Sequence, residues 1–246
     1  MYEDYLKVFV EACNQPWEEI RMAQSLLKDM FDEGKNLEFR ANEDDPELKK
    51  RTQVSMSIEG MTFANSTIAR NIPGSEVFSA PVLDSVNGQI FAPGKYMYDG
   101  KMMEDIYLRI ENGMIVEFDA KVGKSDLQDI LDQAPPVSRR FGEVALGTNP
   151  GLTRRYFNSL LNEKVSGSFH MAIGHCYTYN EYDGEPVMVD NGNIQEGAPH
   201  WDLSILMHRN ADGSGGGKVV LDGEAIQVDG SFLDTRLAIL NPRQTR

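Results

Sequence analysis

Cysteine is scarce in this chain. Only Cys13 and Cys176 occur among the 246 residues, too few and too far apart in sequence for a disulfide framework. This usage fits a reducing compartment. Cys176 lies between histidine and tyrosine residues, but its apolar neighbours favour a small buried side chain over a nucleophile.

The sequence also lacks a long apolar run and an excess of positive charge. No stretch approaches the roughly 20 apolar residues that span a bilayer. Residues 1 to 7 are acidic where a signal peptide would be basic and then apolar, so we expect a cytoplasmic protein. The formal net charge of −14 disfavours nucleic acid as a partner. It suits cationic ligands such as a divalent metal or a free α-amino group, although solubility explains it as well.

What the chain does contain is a globular composition, with 41% hydrophobic and 25% charged residues. This length can bury a sizeable core as one large domain or two small ones. Apolar residues at helical spacing predict helices over residues 3 to 13 and 17 to 33, and a short helix over residues 124 to 133. The last residues, 241 to 246, are expected to fray.

From residue 37 onward the pattern becomes that of strands. Asn112-Gly113 predicts a tight turn between strands at 106 to 110 and 114 to 118. The glycine-rich run at 212 to 217 is interpreted as a hairpin loop between two apolar strands, because neither a helix start nor a Lys-Ser/Thr pair follows it.

His200 and Asp202 are the most informative pair in the sequence. Residues two apart on a strand project from the same face, so this imidazole and this carboxylate converge while Trp201 points the other way. A strand presents two metal ligands in this manner. Taken alone, such a pair is more often a hydrogen-bonded surface pair.

Three further segments place polar residues in apolar surroundings. Glu76 enters a short apolar strand after a proline- and glycine-rich turn, and Glu143 lies within an apolar strand. His170 and Tyr177 flank Gly174 in a third segment. Burying an unpaired carboxylate costs several kcal/mol, so these acids require a compensating cation. A divalent metal supplies that compensation.

Taken in order, these segments resemble the aminopeptidase T family of metallo-aminopeptidases over roughly residues 50 to 235. The motifs are Asn71-Ile-Pro-Gly-Ser-Glu76-Val-Phe-Ser-Ala-Pro81, Gly142-Glu143-Val-Ala-Leu146, His170-Met-Ala-Ile-Gly174-His-Cys-Tyr177 and His200-Trp-Asp202. The resemblance implies an α+β fold with a mixed or antiparallel, sheet-rich catalytic domain and flanking N-terminal helices. It also implies a metal site at six positions: Glu76, Glu143, His170, Tyr177, His200 and Asp202.

The resemblance implies a domain organisation too. Residues 1 to 35 would hold helices near the family's interdomain junction, and residues 36 to 240 the metal-binding catalytic domain. The N-terminal α/β domain that enzymes of this family carry would be absent, and the family suggests a homodimer.

The implied ligands suit Zn²⁺, Co²⁺ or Mn²⁺. There are more acids than one ion requires, so we expect two ions about 3.5–4 Å apart, with Glu143 as the bridging carboxylate. Two such ions would lower the pKa of a shared water and polarise the scissile carbonyl. Glu163 is the candidate general base, in a stretch longer than the family's acidic turn. Tyr177 is the candidate donor to the oxyanion as well as a ligand. His175 and His208 are expected to have no ligand role.

Three functions stay open at this point. The first is a dinuclear aminopeptidase that acts on peptides with a free N-terminus, without nucleic acid or membrane partners. The second is a mononuclear Fe(II) ring-cleaving dioxygenase, because the scaffold resembles that of dihydroxypyridine dioxygenases and His170, His200 and Asp202 form a two-His-one-carboxylate set. The third is an inactive, truncated binding or dimerisation module. Glu76 and Glu143 favour the peptidase, since the dioxygenase would not need both acids.

Overall fold

The computed structural model of the chain describes residues 2–156 and 158–243. Its α-helices are α1 (Tyr2–Cys13), α2 (Trp17–Glu33), α3 (Lys124–Leu131) and α4 (Ser159–Lys164), and short 3-10 helices occur at Leu48–Lys50, Val137–Arg139 and Thr235–Leu240. The helices predicted over 3 to 13, 17 to 33 and 124 to 133 are confirmed. The fraying expected at 241 to 246 lies partly outside the described residues.

Strands make up most of the remaining described chain. They are β1 (Asn36–Ala41), β2 (Thr52–Ser57), β3 (Ala64–Ser66), β4 (Glu76–Ser79), β5 (Asn87–Tyr98), β6 (Lys101–Glu111), β7 (Met114–Val122), β8 (Phe141–Gly147), β9 (Ser168–Gly174), β10 (Tyr179–Tyr182), β11 (Glu185–Val189), β12 (His200–Leu206), β13 (Gly217–Leu221), β14 (Glu224–Val228) and β15 (Ser231–Phe232).

These strands form two large sheets and one small one. The eight-stranded sheet has the order β15-β14-β13-β1-β2-β5-β6-β7, the five-stranded sheet has the order β12-β9-β8-β4-β3, and β10 pairs with β11. The strand pairings within these sheets are antiparallel. The α+β fold class expected from the resemblance is therefore confirmed.

The main hydrophobic core lies where the two large sheets meet. Phe39 on β1 stacks on Phe169 on β9, with ring centroids 4.2 Å apart and an interplanar angle of 4°. Tyr96 on β5 donates a hydrogen bond from its hydroxyl to the backbone oxygen of Ser204 on β12 at 2.7 Å. Helix α2 contributes Leu27 and Phe31 to the same core. One face of the five-stranded sheet is thus covered, and its other face is left for the polar residues.

Two turn predictions have different outcomes. Asn112 and Gly113 both have positive φ and join β6 to β7 as expected. The hairpin loop predicted for residues 212 to 217 is wrong, because β12 and β13 belong to different sheets. Arg209 and Gly215 form one isolated antiparallel bridge there, so the glycines reverse the chain locally without joining two paired strands.

No helix within the described residues is long and apolar enough to cross a membrane.

Candidate metal centre

Four neighbouring strands of the five-stranded sheet carry polar side chains to one face. Strand β4 carries Glu76, β8 carries Glu143, β9 carries His170, and β12 carries His200 and Asp202. Residues of opposite parity on the same strands belong to the main core: Val77, Val144, Met171 and Leu203. The alternation of the strands therefore separates an apolar face from a chemically active one.

The predicted geometry of β12 is found in the structure. Asp202 is paired with Ala172, and Ser204 is paired with His170, in the antiparallel register of β12 and β9. Trp201 is 3% exposed and belongs to the main core, on the face opposite its two neighbours. His200 and Asp202 therefore point to the same side of the sheet, as expected for residues two apart.

A β-bulge at Gly142 decides the orientation of Glu143. The register of β8 against β9 shifts between Phe141 and Glu143, so these two residues face opposite sides despite being two apart. Phe141 enters the core. A Cβ atom at Gly142 would lie 2.2 Å from the backbone oxygen of His175, so a residue with a side chain would not fit without displacing that backbone.

Glu143 lies at the centre of the cluster. Its Oε1 atom is 3.3 Å from His170 Nε2, and its Oε2 atom is 3.4 Å from His200 Nε2. His170 Nε2 also lies 3.3 Å from Glu76 Oε2, and His200 Nε2 lies 3.7 Å from Asp202 Oδ2. Each carboxylate oxygen of Glu143 therefore faces a different imidazole.

The cluster opens into a cleft of about 260 Å³. Tyr177 and Glu163 also line the cleft. The ring of Tyr177 lies 4.3 Å from that of His200, measured between centroids, and the residue is 52% exposed. Its hydroxyl is thus open to an incoming ligand, whereas the other four ligand candidates named for the sheet, apart from Glu76, surround His170 directly: Glu143, His200 and Asp202.

The other two histidines make local hydrogen bonds away from this cluster. His175 Nδ1 accepts from the backbone N–H of Gln195 at 3.3 Å, and His208 Nε2 donates to the backbone oxygen of Ser166 at 2.7 Å. Neither belongs to the groups of residues with metal-ligand spacing among the described residues.

The electrostatics of the cluster favour added positive charge. Burial alone would lower the pKa of His170, but hydrogen bonds to Glu143 and Glu76 outweigh it and raise that pKa to about 10. Burial likewise opposes the charge on His200, and Glu143 and Asp202 raise its pKa to about 9. The pKa of Glu143 is held far below its ordinary value, because the hydrogen bonds from both imidazoles outweigh its burial.

Glu163 has the opposite behaviour. Burial, followed by the nearby carboxylate of Asp202, raises the pKa of Glu163 to about 7. A carboxyl group with a pKa near neutrality can both accept and return a proton at physiological pH. This property is what a general base in a hydrolytic site requires.

Two overlapping groups of side chains have the spacing of metal ligands. The Glu76 triad consists of Glu76, Glu143 and His170, and the Asp202 triad consists of Glu143, His200 and Asp202; within each, one ligand atom per residue lies within 4.8 Å of the others. Asp202 Oδ1 is buried and has no hydrogen-bond partner among the described residues. Imidazole and carboxylate donors around such an atom fit a divalent cation of the Zn²⁺, Co²⁺ or Mn²⁺ type.

Sequence reasoning missed Lys164 at the end of α4. Its side chain is 3% exposed, and Nζ lies 2.5 Å from Glu76 Oε1 and 3.3 Å from Glu163 Oε2. Burial would lower the pKa of Lys164, but Glu76 and Glu163 outweigh it and keep that pKa above its ordinary value. Its position next to Glu163 was the available signal, because a lysine ending a short helix beside an apolar strand has few routes to solvent.

Gln24 on α2 was missed as well. Its Nε2 atom lies 2.7 Å from Ser75 Oγ, 2.9 Å from Thr148 Oγ1 and 3.2 Å from the backbone oxygen of Glu76. Gln24 is fully buried, and it ties the helix to the start of β4. The signal was a polar residue on the apolar stripe of α2, four residues after Ile20 and three before Leu27.

Comparison with known sequences finds one family and several relatives. The sequence profile of the family described as thermophilic metalloprotease (M29) matches residues 6–230. Aminopeptidase 2 of Geobacillus stearothermophilus is 30% identical over 142 residues, which cover 55% of this chain and 34% of that protein. Aminopeptidase T of Thermus thermophilus is 36% identical over 122 residues, which cover 47% and 28% respectively. The chain thus spans about a third of the length of these curated relatives.

Two solved structures share the fold. Wild-type AmpT from Thermus thermophilus has a TM-score of 0.63 at 22% identity, covering 89% of this chain and 56% of that one. The 2,5-dihydroxypyridine dioxygenase from Pseudomonas putida KT2440 has a TM-score of 0.67 at 14% identity, covering 94% and 64%. At these identities the likeness establishes the fold, and it does not separate a peptidase from a dioxygenase.

Proposed function

Since the chain belongs to the thermophilic metalloprotease (M29) family, we propose that it is a metal-dependent aminopeptidase that hydrolyses the N-terminal residues of peptides. The proposed ligands are the six positions carried over from the family motifs, with two ions of Zn²⁺, Co²⁺ or Mn²⁺. The relatives named aminopeptidase support the reaction class.

The observation that carries the proposal is the position of Glu143 between two imidazoles. Its two oxygens lie 3.3 Å from His170 Nε2 and 3.4 Å from His200 Nε2. A carboxylate with one oxygen in each of two ligand triads has the arrangement of a bridging ligand. Bound divalent ions supply Lewis acidity, because they lower the pKa of water and polarise a carbonyl.

The chain's own residues divide the remaining work. Glu163, whose pKa is about 7, accepts the proton of the attacking water and returns it to the leaving amine. Tyr177 donates a hydrogen bond from its exposed hydroxyl to the oxygen of the tetrahedral carbonyl. The acidic wall of the cleft attracts the α-amino group of the substrate, which favours exopeptidase action.

The dioxygenase alternative has weaker support. His170, His200 and Asp202 lie close enough for a two-His-one-carboxylate set, with His170 Nε2 4.0 Å from Asp202 Oδ1. The same cluster, however, contains Glu76 and Glu143 at 3.3 Å from His170 Nε2. A mononuclear iron site does not need these two further acids.

A metal analysis joined to a substrate assay tests the proposal. Protein purified without chelator should contain Zn, Co or Mn, and it should release the first residue of peptides with a free N-terminus. The N-acetylated peptides of the same sequence are the control and should resist cleavage. Chelation should abolish activity and added Mn²⁺ or Co²⁺ should restore it. Equal cleavage of blocked and free peptides contradicts exopeptidase action, and one iron per chain without peptidase activity supports the dioxygenase.

The proposal keeps the organisation expected from the resemblance. Helices within residues 1 to 35 would accompany a catalytic domain over 36 to 240, in a cytoplasmic homodimer without nucleic acid or membrane partners. Sedimentation velocity at micromolar concentration tests the dimer, and a monomer with full activity contradicts it.

A further inference from the structure

Lys164 places a fixed positive charge inside the candidate metal centre. Its ammonium contacts Glu76 and Glu163, and only 3% of the side chain is exposed. A buried ammonium is costly unless carboxylates surround it. Here two carboxylates do so, and one of them is a proposed metal ligand.

This charge is closer to one triad than to the other. Lys164 forms an ion pair with Glu76, which belongs only to the Glu76 triad. The ion pairs of His200 and Asp202 within the described residues are with each other and with members of the cluster other than Lys164. The Asp202 triad is therefore free of direct contact with the ammonium.

An ammonium in contact with a ligand competes with a divalent ion in two ways. It engages Glu76 Oε1 at 2.5 Å, which leaves Oε2 as the oxygen of Glu76 that faces His170. It also repels a second cation, and this repulsion is strong in a buried site because little solvent screens it. Both effects fall on the Glu76 triad.

We propose that Lys164 makes the two halves of the metal centre unequal, so that the chain binds one divalent ion tightly at the Asp202 triad and a second one more weakly at the Glu76 triad. Lys164 is a positioning residue in this scheme, since it orients Glu76 and acts on metal binding through it. The inference rests on the proposed function only in that the site binds divalent cations.

A titration of chelator-treated protein with Mn²⁺ tests the inference, with free Mn²⁺ followed by its electron paramagnetic resonance signal. The wild-type chain should bind one equivalent tightly and the second about 10–100-fold more weakly. Lys164→Met keeps the length of the side chain and removes its charge, so the second affinity should rise by about tenfold or more while the first changes little. Lys164→Arg keeps the charge and should retain the wild-type inequality.

Lys121→Met serves as the matched control, because this lysine is 63% exposed and pairs with Glu104 away from the metal centre. It should titrate like the wild type. If Lys164→Met is destabilised, the rise in Tm produced by Mn²⁺ is the second readout, and it should exceed the rise in the wild type because two ions then bind the folded state.

The outcomes separate the two proposals. Two equivalents of equal affinity in the wild type, or an unchanged second affinity in Lys164→Met, overturn the role of Lys164 and leave the metallo-aminopeptidase proposal intact. A wild-type chain that binds neither Mn²⁺ nor Zn²⁺ overturns both.

Discussion

The Nδ1 atom of His200 donates a hydrogen bond to the backbone oxygen of His175 at 2.7 Å. A carbonyl oxygen can only accept, so the proton of the neutral ring lies on Nδ1 and the lone pair lies on Nε2. Nε2 is the atom that faces Glu143 at 3.4 Å. The backbone of His175 therefore sets the ring of His200 in the tautomer and orientation that a metal ligand needs, although the side chain of His175 takes no part.

Removing Glu143 should reduce metal binding more than removing any single surface acid, because a bridging carboxylate serves both ions. We expect Glu143→Ala to lower metal affinity at least about 10–100-fold, measured as bound metal after equilibrium dialysis. Glu59→Ala is the control, since Glu59 is 62% exposed and pairs with Lys35 on the surface. Full stoichiometry and affinity in Glu143→Ala contradict the bridging assignment.

Glu163→Gln should lower kcat by about 10²–10⁴-fold, the usual contribution of a general base, while metal content stays unchanged. In the wild type, kcat should rise with pH along an acidic limb, since the base acts only when deprotonated. The limb should lie at or below the pKa of about 7, because bound cations favour the carboxylate. Steady-state kinetics from pH 5 to 9 check this, with the exposed Glu181→Gln as control. A variant that keeps more than half of kcat excludes Glu163 as the base.

The stability of chelator-treated protein should fall with rising pH. The pKa values of His170 and His200 are raised from 6.5 to about 10 and about 9 in the folded chain. Their contribution is therefore complete below pH 6.5 and is lost as pH rises through 9 and 10. Metal affinity should rise over the same range, because cations and protons compete for the imidazoles. Melting curves at successive pH values measure the effect, and a Tm that stays constant from pH 6.5 to 10 contradicts it.

Gln24→Met should destabilise the fold by about 1–3 kcal/mol, the cost of leaving buried acceptors unpaired. The acceptors left behind are the side chains and backbone at Ser75, Thr148 and Glu76. Metal affinity should fall with stability, because Glu76 loses a backbone contact that holds the start of β4. Urea unfolding and a Mn²⁺ titration measure the two effects. Met22→Gln on the exposed side of α2 is the control, and equal stability of both variants contradicts the role of Gln24.

The elements that sequence predicted well are those set by local pattern. Helix α2 follows from apolar residues at helical spacing and an end before Gly34, and the β6–β7 turn follows from Asn112-Gly113. The glycine-rich run at 212 to 217 shows the limit of this reasoning. Its composition predicts a chain reversal, but whether the flanking strands then pair depends on their neighbours elsewhere in the fold.

The sequence by itself determined the residue types of the candidate site and the shared face of His200 and Asp202, because alternation along one strand is a local property. Only the tertiary structure decided that β4, β8, β9 and β12 lie side by side. It also decided that the bulge at Gly142 turns Glu143 away from Phe141 and that Lys164 reaches Glu76. Strand order, register shifts and buried ion pairs depend on contacts between distant segments, and a periodic pattern within one segment carries no record of them.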